Sequence, residues 1–537
     1  MRKLFGTDGI RGVANLSPMI PSLVLRVGQA IAVTLDTGKK GIVVGKDPRR
    51  SGDMIEAALM AGITSCGRDC YRVGVLPTPG IAYLTKKFHA AAGVVISASH
   101  NPMEDNGIKI FGPDGFKLTD QQEMEMERRI QNEDNGAYED EDFPHPTGRE
   151  IGRVLEVQDA TQQYLDFLKC LFIDLDLSGM RISLDCANGA TSHIAPFLFQ
   201  EMGAEVFPIH FHPDGMNINH ECGALHPDVL ASQVLSRQSD VGFSFDGDGD
   251  RLICADEQGN TLSGDNLLLI LGRDLKERGI LPHNFVVTTV MSNLGFFKAA
   301  EQLGLTVRQT QVGDRYVLEE MQSCGAVLGG EDSGHIIFLD GEHTTGDGIF
   351  AALRFLQVLR RQSIQGSNSG TRSAGSPGNL RSNLNSYLSS NSGSNLGSNL
   401  STNLSTNLSS NLRTNLGSNS GNSNNSSADS GAGSDSDSGR SHAAPAVPVS
   451  QMGKLMRRYP QVLTAVPVRS RVDLNQIPQI QQVIRGAEEE LGDQGRILVR
   501  YSGTQLMVRV MVEGPDSQTT ERLASQLTAV VQQQIGE

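Results

Sequence analysis

Residues 92–111 read AGVVISASHNPMEDNGIKIF, and their first half decides the fold class: the short apolar run Ala92–Ile96 leads straight into Ser97-Ala98-Ser99-His100-Asn101-Pro102. A run of this kind bounded by turn residues predicts a strand covered on both faces, as in a mostly parallel sheet. Ligands of such sheets gather at the carboxyl ends of the strands, which makes Ser99 a candidate nucleophile. No Gly-x-Ser-x-Gly elbow surrounds it, which argues against acyl transfer. The bland reading is a turn, because Asn and Pro both favour one. Further on, Asn106-Gly107 predicts a tight hairpin, with Lys109 on the returning strand and near the serine.

The same alternation continues outward in both directions. Strand-like runs at Ile42–Val44, Arg181–Leu184, Val206–Ile209, Gly242–Phe245, Phe285–Val290 and Val327–Leu328 are interleaved with helical patterns such as Pro21–Thr37, Gly52–Cys66 and Asp347–Arg361. That rhythm predicts α/β layers. Near the end, Ile497–Tyr501 and Met507–Glu513 precede a helical pattern over Ser517–Gln533, which predicts a smaller α+β domain. With 537 residues, the chain is too long for one module and implies about three to five domains.

From about Ile364 to Val447 the composition shifts to Ser, Asn, Gly and Leu. Leu recurs at every fourth position, as in Leu396, Leu400, Leu404 and Leu408, usually after Asn. A period of four drifts about 40° per repeat on an α-helix, so these leucines form no single face. The composition predicts a disordered insert, with a β-solenoid or adhesive array as the rival reading. Its four arginines and three aspartates nearly cancel, so the acidity belongs to the rest of the chain.

Overall, 46 Lys and Arg against 61 Asp and Glu leave a formal charge of −15, which excludes a chain-wide basic surface for nucleic acid or an anionic membrane. Seven cysteines show no CxxC pair; Cys66 and Cys70 are expected to be two helix-borne core residues rather than a redox pair. The opening MRKLFGTDGIRG has no apolar signal core, and Leu23–Leu35 is interrupted by Arg26 and Gln29. A cytoplasmic location is the expectation.

Three more loops carry chemistry. Phe245-Asp246-Gly247-Asp248-Gly249-Asp250-Arg251 sets three carboxylates at alternate positions, and such crowding calls for a hard cation, with Mg²⁺ favoured. An EF-hand fails because Arg251 stands at its glycine position and the flanks are strand-like. Gly329-Gly330-Glu331-Asp332-Ser333-Gly334-His335 offers a carboxylate, a hydroxyl and an imidazole suited to vicinal hydroxyls, although a lone His is more often structural. Arg500-Tyr501-Ser502-Gly503-Thr504-Gln505, with Arg509 beyond, joins two strands and supplies an anion cradle without a Walker A sequence; a plain hairpin with a surface arginine is the alternative.

In this order, Ser99–Pro102, Asp246–Arg251, Gly330–His335 and Arg500–Thr504 resemble the α-D-phosphohexomutase superfamily. Phe5–Gly12, Pro213–Asn219 and Cys222-Gly223 are similar to its bacterial phosphoglucosamine mutase branch. The resemblance spans essentially everything but the insert. It implies a four-domain architecture, three related α/β domains and a smaller C-terminal α+β domain around a cleft. The expected divisions are a phosphoserine-bearing domain at 1–153, a metal-loop domain at 154–255, a sugar-binding domain at 256–363, the insert at 364–447 and a phosphate-binding domain at 448–537.

Carried over position by position, the resemblance implies that Ser99 is the phosphoserine, required for activity. It implies one Mg²⁺ held by Asp246, Asp248, Asp250 and a phosphoserine oxygen. Glu331 and Ser333 would grip the sugar; Arg251, Arg500, Ser502, Gly503, Thr504 and Arg509 would bind phosphate or balance its charge; Arg11, Lys109, His100 and His335 would serve proton transfer and charge stabilisation. The implied reaction interconverts glucosamine 6-phosphate and glucosamine 1-phosphate through a bound 1,6-bisphosphate and feeds UDP-N-acetylglucosamine and cell-wall precursors. The alternatives are phosphomannomutase or phosphoglucomutase activity, or a non-catalytic interaction protein using the Asn-Leu array. A hexosamine phosphate is the expected partner, without nucleic acid or membrane, and a homodimer is left open. Three features depart from the branch pattern: Gln505-Leu506 stands for Glu-Pro, Asp332 stands for Gln, and the insert falls between Asp347–Arg361 and Val449–Pro460.

Overall fold

The computed structural model describes residues 4–6, 8–35, 38, 41–131, 143–367, 447–502 and 506–537. Four sheets follow one another among them. The first has six strands in the order Ile10–Val13, Asp105–Phe111, Ala92–Ile96, Ile42–Lys46, Cys70–Val75, Val154–Glu156. The second orders Thr261–Leu262, Leu252–Asp256, Val241–Phe245, Arg181–Asp185 and Glu205–Ile209. The third orders Thr306–Thr310, Phe285–Thr289, Leu328–Gly330 and Ile336–Phe338, and the last Gln461–Pro467, Met507–Glu513 and Arg496–Tyr501.

The first three sheets share one plan. A parallel core ends in an antiparallel partner: Ala92–Ile96 pairs with Asp105–Phe111, Val241–Phe245 with Leu252–Asp256, and Leu328–Gly330 with Ile336–Phe338. Each pair is bridged by one of the loops singled out from sequence. The core strands are buried along their whole length, which is why Ala92–Ile96 and Val241–Phe245 carry few charges. The fourth sheet is wholly antiparallel, and its core of Val466, Ile480, Val508, Val510, Leu523 and Leu527 is separate from the others.

A single apolar cluster runs through the first three sheets and includes Val43, Leu168, Phe199, Phe243, Leu267 and Phe355. Each such fully buried side chain contributes about 1.5–3 kcal/mol of transfer free energy; the other face of the first sheet packs a separate cluster with Val44, Leu59 and Ile96, and the third sheet a smaller one with Val287 and Val317. Helix Gly348–Ser367 supplies Ile349, Phe350, Leu353 and Leu356 to the shared cluster, and the Asp347 carboxylate caps the helix by accepting from the Phe350 amide at 2.9 Å.

Several expectations are corrected. Asn106-Gly107 is no hairpin turn: both residues lie inside a strand, Gly107 opposite Arg11. A Cβ at Gly107 would stand 2.6 Å from the Ser97 carbonyl and 2.9 Å from that of Ile10, so the glycine serves close packing of backbones. Cys66 follows helix Gly52–Ser65 and Cys70 opens a strand, so the two are not helix-borne together, although both are buried and free. The helix from Gly348 runs to Ser367, past the start expected for the insert, and the expectation for 368–446 lies outside the described residues. No described helix is long and apolar enough to cross a membrane.

Candidate active site

The serine loop and the aspartate loop, from different sheets, meet directly. Ser99 has a left-handed backbone, φ 54°, and its Oγ donates to Asp246 Oδ2 at 2.5 Å, with His100 Nδ1 3.3 Å away. Contact this close requires Gly247, whose Cβ, if present, would stand 2.6 Å from the Ser99 carbonyl oxygen. Ser99 is 1% exposed, so its hydroxyl is closed against the carboxylate.

Asp246, Asp248 and Asp250 are buried, with one oxygen from each lying within 4.8 Å of the others. Asp246 Oδ1 accepts from the Arg251 amide at 3.2 Å, and Asp248 Oδ2 accepts from Thr78 Oγ1 at 2.6 Å. Asp248 Oδ1 and Asp250 Oδ1 are buried with no hydrogen-bond partner among the described residues. Burial, then the charges of Asp250 and Asp248, push the Asp246 carboxyl well above the usual carboxylate range. Orphaned hard oxygens in a crowded acidic pocket are the donor set that suits a divalent cation such as Mg²⁺.

A second group, Asp185, His210 and Cys222, also has ligand atoms within 4.8 Å of one another. There the carboxylate already accepts from the Ala187 amide at 3.0 Å, the Gly223 amide at 3.0 Å and His210 Nδ1 at 3.1 Å, so it is a loop anchor.

Lys109, Arg11 and Arg251 lie close to the aspartates, and Lys117 joins them through Asp8. Lys109 Nζ donates to Asp248 Oδ2 at 2.8 Å and Asp250 Oδ2 at 3.1 Å, and lies 3.2 Å from Asp8. Burial alone pulls the lysine down, but the charges of Asp248, Asp250 and Asp8 outweigh it and hold the ammonium well above its usual range. Arg11 pairs with Asp8, and Lys117 bridges Asp8 to Asp314. The buried Arg251 Nε has no hydrogen-bond partner. His100 is pushed down to about 3 by burial and by the charges of Arg251 and Arg11, so its ring is neutral at physiological pH.

His335 Nε2 lies 3.7 Å from both Asp250 and Asp314, and neither ring nitrogen has a hydrogen-bond partner among the described residues. The third loop thus joins the first two. Glu331 accepts from the Gly313 amide at 3.1 Å, and Ser333 is exposed. Asp332 does not face them: both its oxygens accept from Arg458, at 3.1 and 2.9 Å. Asp8, Thr78, Lys117, Asp314 and Arg458 were not assigned a role from sequence. Asp8 sits inside the quoted Phe5–Gly12 motif, whereas the others have no local signature.

The phosphate loop stands apart. Among the described residues no hydrogen bond or ion pair links Arg500, Ser502 or Arg509 to the serine or aspartate loops, and Gly503 and Thr504 lie outside the described residues. Arg500 and Arg509 are cross-strand neighbours, and neither pairs with a carboxylate among the described residues. Burial, then the charge of Arg509, lowers the Arg500 pKa, and its Nε has no hydrogen-bond partner. Two cross-strand guanidinium groups without a carboxylate partner among the described residues have the donor chemistry that suits an anion. The domain is tethered to the third sheet through buried Glu513, which accepts from Asn293 Nδ2 at 3.1 Å, the Leu294 amide at 3.0 Å and Arg496 Nε at 2.6 Å.

This arrangement of four sheets and four loops coincides with known family descriptions. The phosphoglucomutase/phosphomannomutase α/β/α domains I, II and III match residues 2–137, 162–259 and 263–370, and the C-terminal domain of the same family matches 463–530. The chain belongs to this phosphohexomutase family. Among its relatives, the phosphoglucosamine mutase of Syntrophus aciditrophicus is 42% identical over 539 residues, covering 100% of each chain. That of Desulforamulus reducens is 42% identical over 534 residues, covering 99% of each. In fold, the chain is similar to a phosphoglucomutase/phosphomannomutase family protein of Burkholderia thailandensis, with a TM-score of 0.67 at 19% identity over 98% of this chain and 97% of that one. It is also similar to the Aspergillus fumigatus N-acetylphosphoglucosamine mutase solved with GlcNAc-6P and magnesium, with a TM-score of 0.60 at 15% identity over 99% and 96%.

Proposed function

We propose that the chain interconverts glucosamine 6-phosphate and glucosamine 1-phosphate, with Ser99 carrying the phosphoryl group. The observation that carries this reading is the 2.5 Å contact between Ser99 Oγ and the buried aspartate cluster, in which Asp248 Oδ1 and Asp250 Oδ1 have no hydrogen-bond partner among the described residues. The full-length relatives called phosphoglucosamine mutase support the choice of sugar.

In the first transfer a sugar hydroxyl oxygen forms a bond to phosphorus while the bond from phosphorus to Ser99 Oγ breaks. The hydroxyl proton leaves to a neighbouring base, and Oγ keeps the electron pair and is reprotonated. The bisphosphate then turns end for end, and the other phosphoryl group returns to Ser99. His335, whose ring nitrogens have no hydrogen-bond partner among the described residues, is assigned to take the sugar proton. His100, held neutral, orients Oγ.

Phosphoserine and substrate each carry nearly two negative charges, and each unit pair at 4 Å costs about 4 kcal/mol at an effective dielectric of 20. Arg11, Lys109 and Arg251 offset part of that repulsion. Asp246, Asp248 and Asp250, with a phosphoserine oxygen, would hold Mg²⁺, which supplies neutralisation of charge on the transferring group. Glu331 and Ser333 orient the sugar. Arg500, Ser502, Gly503, Thr504 and Arg509 hold the phosphate that is not reacting, at whichever end it lies. The pairing of Asp332 with Arg458 supports the reading that its departure from the branch pattern does not set sugar choice.

Comparing kcat/KM for the 6-phosphates of glucosamine, glucose and mannose tests the reading. A preference for glucosamine is expected, and a preference for glucose or mannose overturns the amino-sugar assignment.

A further inference from the structure

The loop that presents Ser99 is held by its carbonyl oxygens. Arg49 is fully buried, and its Nη2 donates to the carbonyls of Ser99 at 2.9 Å and Asn101 at 2.8 Å. Its Nη1 donates to the carbonyls of Pro102 and of Asp105, the latter at 3.1 Å, and its Nε pairs with Asp47 at 2.9 Å. The amide side of the loop is fixed as well, since the Ser99 N–H donates to Ser97 Oγ at 2.9 Å and Ser97 Oγ donates to Asp47 Oδ2 at 2.6 Å.

A second clamp arrives from the second sheet. Asn219 Nδ2 donates to the same two carbonyls, Ser99 at 2.9 Å and Asn101 at 3.0 Å. Asn219 itself has φ 57°, and its amide donates to the Ala187 carbonyl at 2.9 Å. The loop it belongs to rests on Asp185, which binds His210 at its start and the Gly223 amide at its end. The carbonyls of Ser99 and Asn101 therefore each accept two hydrogen bonds, one from each domain.

We infer that Arg49 and Asn219 are positioning residues, which pin the Ser99 loop in its left-handed conformation from two domains at once and so aim Oγ at the metal-binding carboxylates. A serine side chain rarely adopts positive φ without such support. The consequence for catalysis rests on the proposed role of Ser99; the mechanical clamp does not. A misplacement of the carrier oxygen by about 1 Å is enough to cost roughly a hundredfold in rate.

Asn219→Gly keeps the backbone conformation and removes the amide donor. In the purified full-length chain, amide exchange over residues 98–105 read by mass spectrometry is expected to speed up about tenfold, with kcat down about ten- to a hundredfold and KM within about twofold of wild type. Arg49→Lys, which keeps the charge beside Asp47 but reaches fewer carbonyls, is expected to shift the same two readouts. Unchanged exchange in Asn219→Gly overturns the clamp. Faster exchange with wild-type kcat overturns the positioning role, as does a loss of kcat matched by a rise in KM. Ser99→Ala, run alongside, reports on the carrier: activity there defeats the proposed function while leaving the exchange result to judge the clamp.

Discussion

Ser99 Oγ donates to Asp246 Oδ2 at 2.5 Å although 147 residues separate them in the chain. The contact joins the candidate nucleophile of the first loop to the first carboxylate of the second. Replacing Ser99 with Ala is expected to lower mutase turnover by at least about three orders of magnitude, since the covalent route has no substitute nucleophile. The circular dichroism spectrum should stay native, and intact-mass measurement should lose the phosphorylated species.

Chelation is expected to silence the enzyme and added Mg²⁺ to restore it. A cation that binds the folded aspartate cluster alone also stabilises it, by about 2.7 kcal/mol at a hundred times its dissociation constant. Thermal unfolding with and without Mg²⁺ should therefore show a higher midpoint with metal, and Asp248→Asn should abolish that difference.

Arg500 and Arg509 face each other across two strands without a carboxylate partner among the described residues. Removing one relieves like-charge repulsion and removes an anion donor at the same time. Arg509→Ala is expected to leave thermal stability unchanged or slightly higher while raising KM at least about tenfold, or about 1.4 kcal/mol. Steady-state kinetics at low and moderate salt, with a melt of the free enzyme, checks both signs.

His343 is buried between Asp340, 3.4 Å away, and Asp347, 3.5 Å away, with Tyr164 donating to Asp347, Arg354 3.9 Å from Asp340, and the Phe167 and Phe350 rings against the imidazole. Burial alone lowers its pKa, but Asp340 and Asp347 outweigh it and raise it to about 9. A folded pKa above the unfolded value of about 6.5 means the stabilisation is complete below pH 6.5 and fades as pH climbs through 9. The loss is on the order of 3 kcal/mol. Melting midpoints from pH 6 to 10 should fall more steeply for wild type than for His343→Gln.

Asp332 is committed to Arg458, so Asp332→Gln is expected to leave the ratio of glucosamine to glucose phosphate turnover within about twofold of wild type. A larger change in that ratio would place Asp332 against the sugar after all.

The strands that carry the site were legible because each is a short apolar run ending in polar residues, and the aspartate loop was legible because three carboxylates alternate with glycine. Asn106-Gly107 misled for a definite reason. The pair is a strong local turn signal, yet the glycine is needed where Ser97 and Ile10 carbonyls crowd the strand, and tertiary contact overrode local preference. Lys117 and Asp314 were missed because neither stands in a patterned segment; their ion pair exists only where the first and third sheets meet.

Local pattern and residue chemistry by themselves determined the α/β strands, the four loops and the kind of group each loop offers, because burial periodicity and donor type are properties of short segments. Which groups face one another was decided by the tertiary structure alone: Ser99 with Asp246, His335 with Asp250 and Asp314, Asp332 with Arg458, and the Ser99 carbonyl with both Arg49 and Asn219. Those pairings arise where separate sheets and their loops are packed against one another, partly through a cluster common to the first three, and no spacing along the chain encodes that meeting.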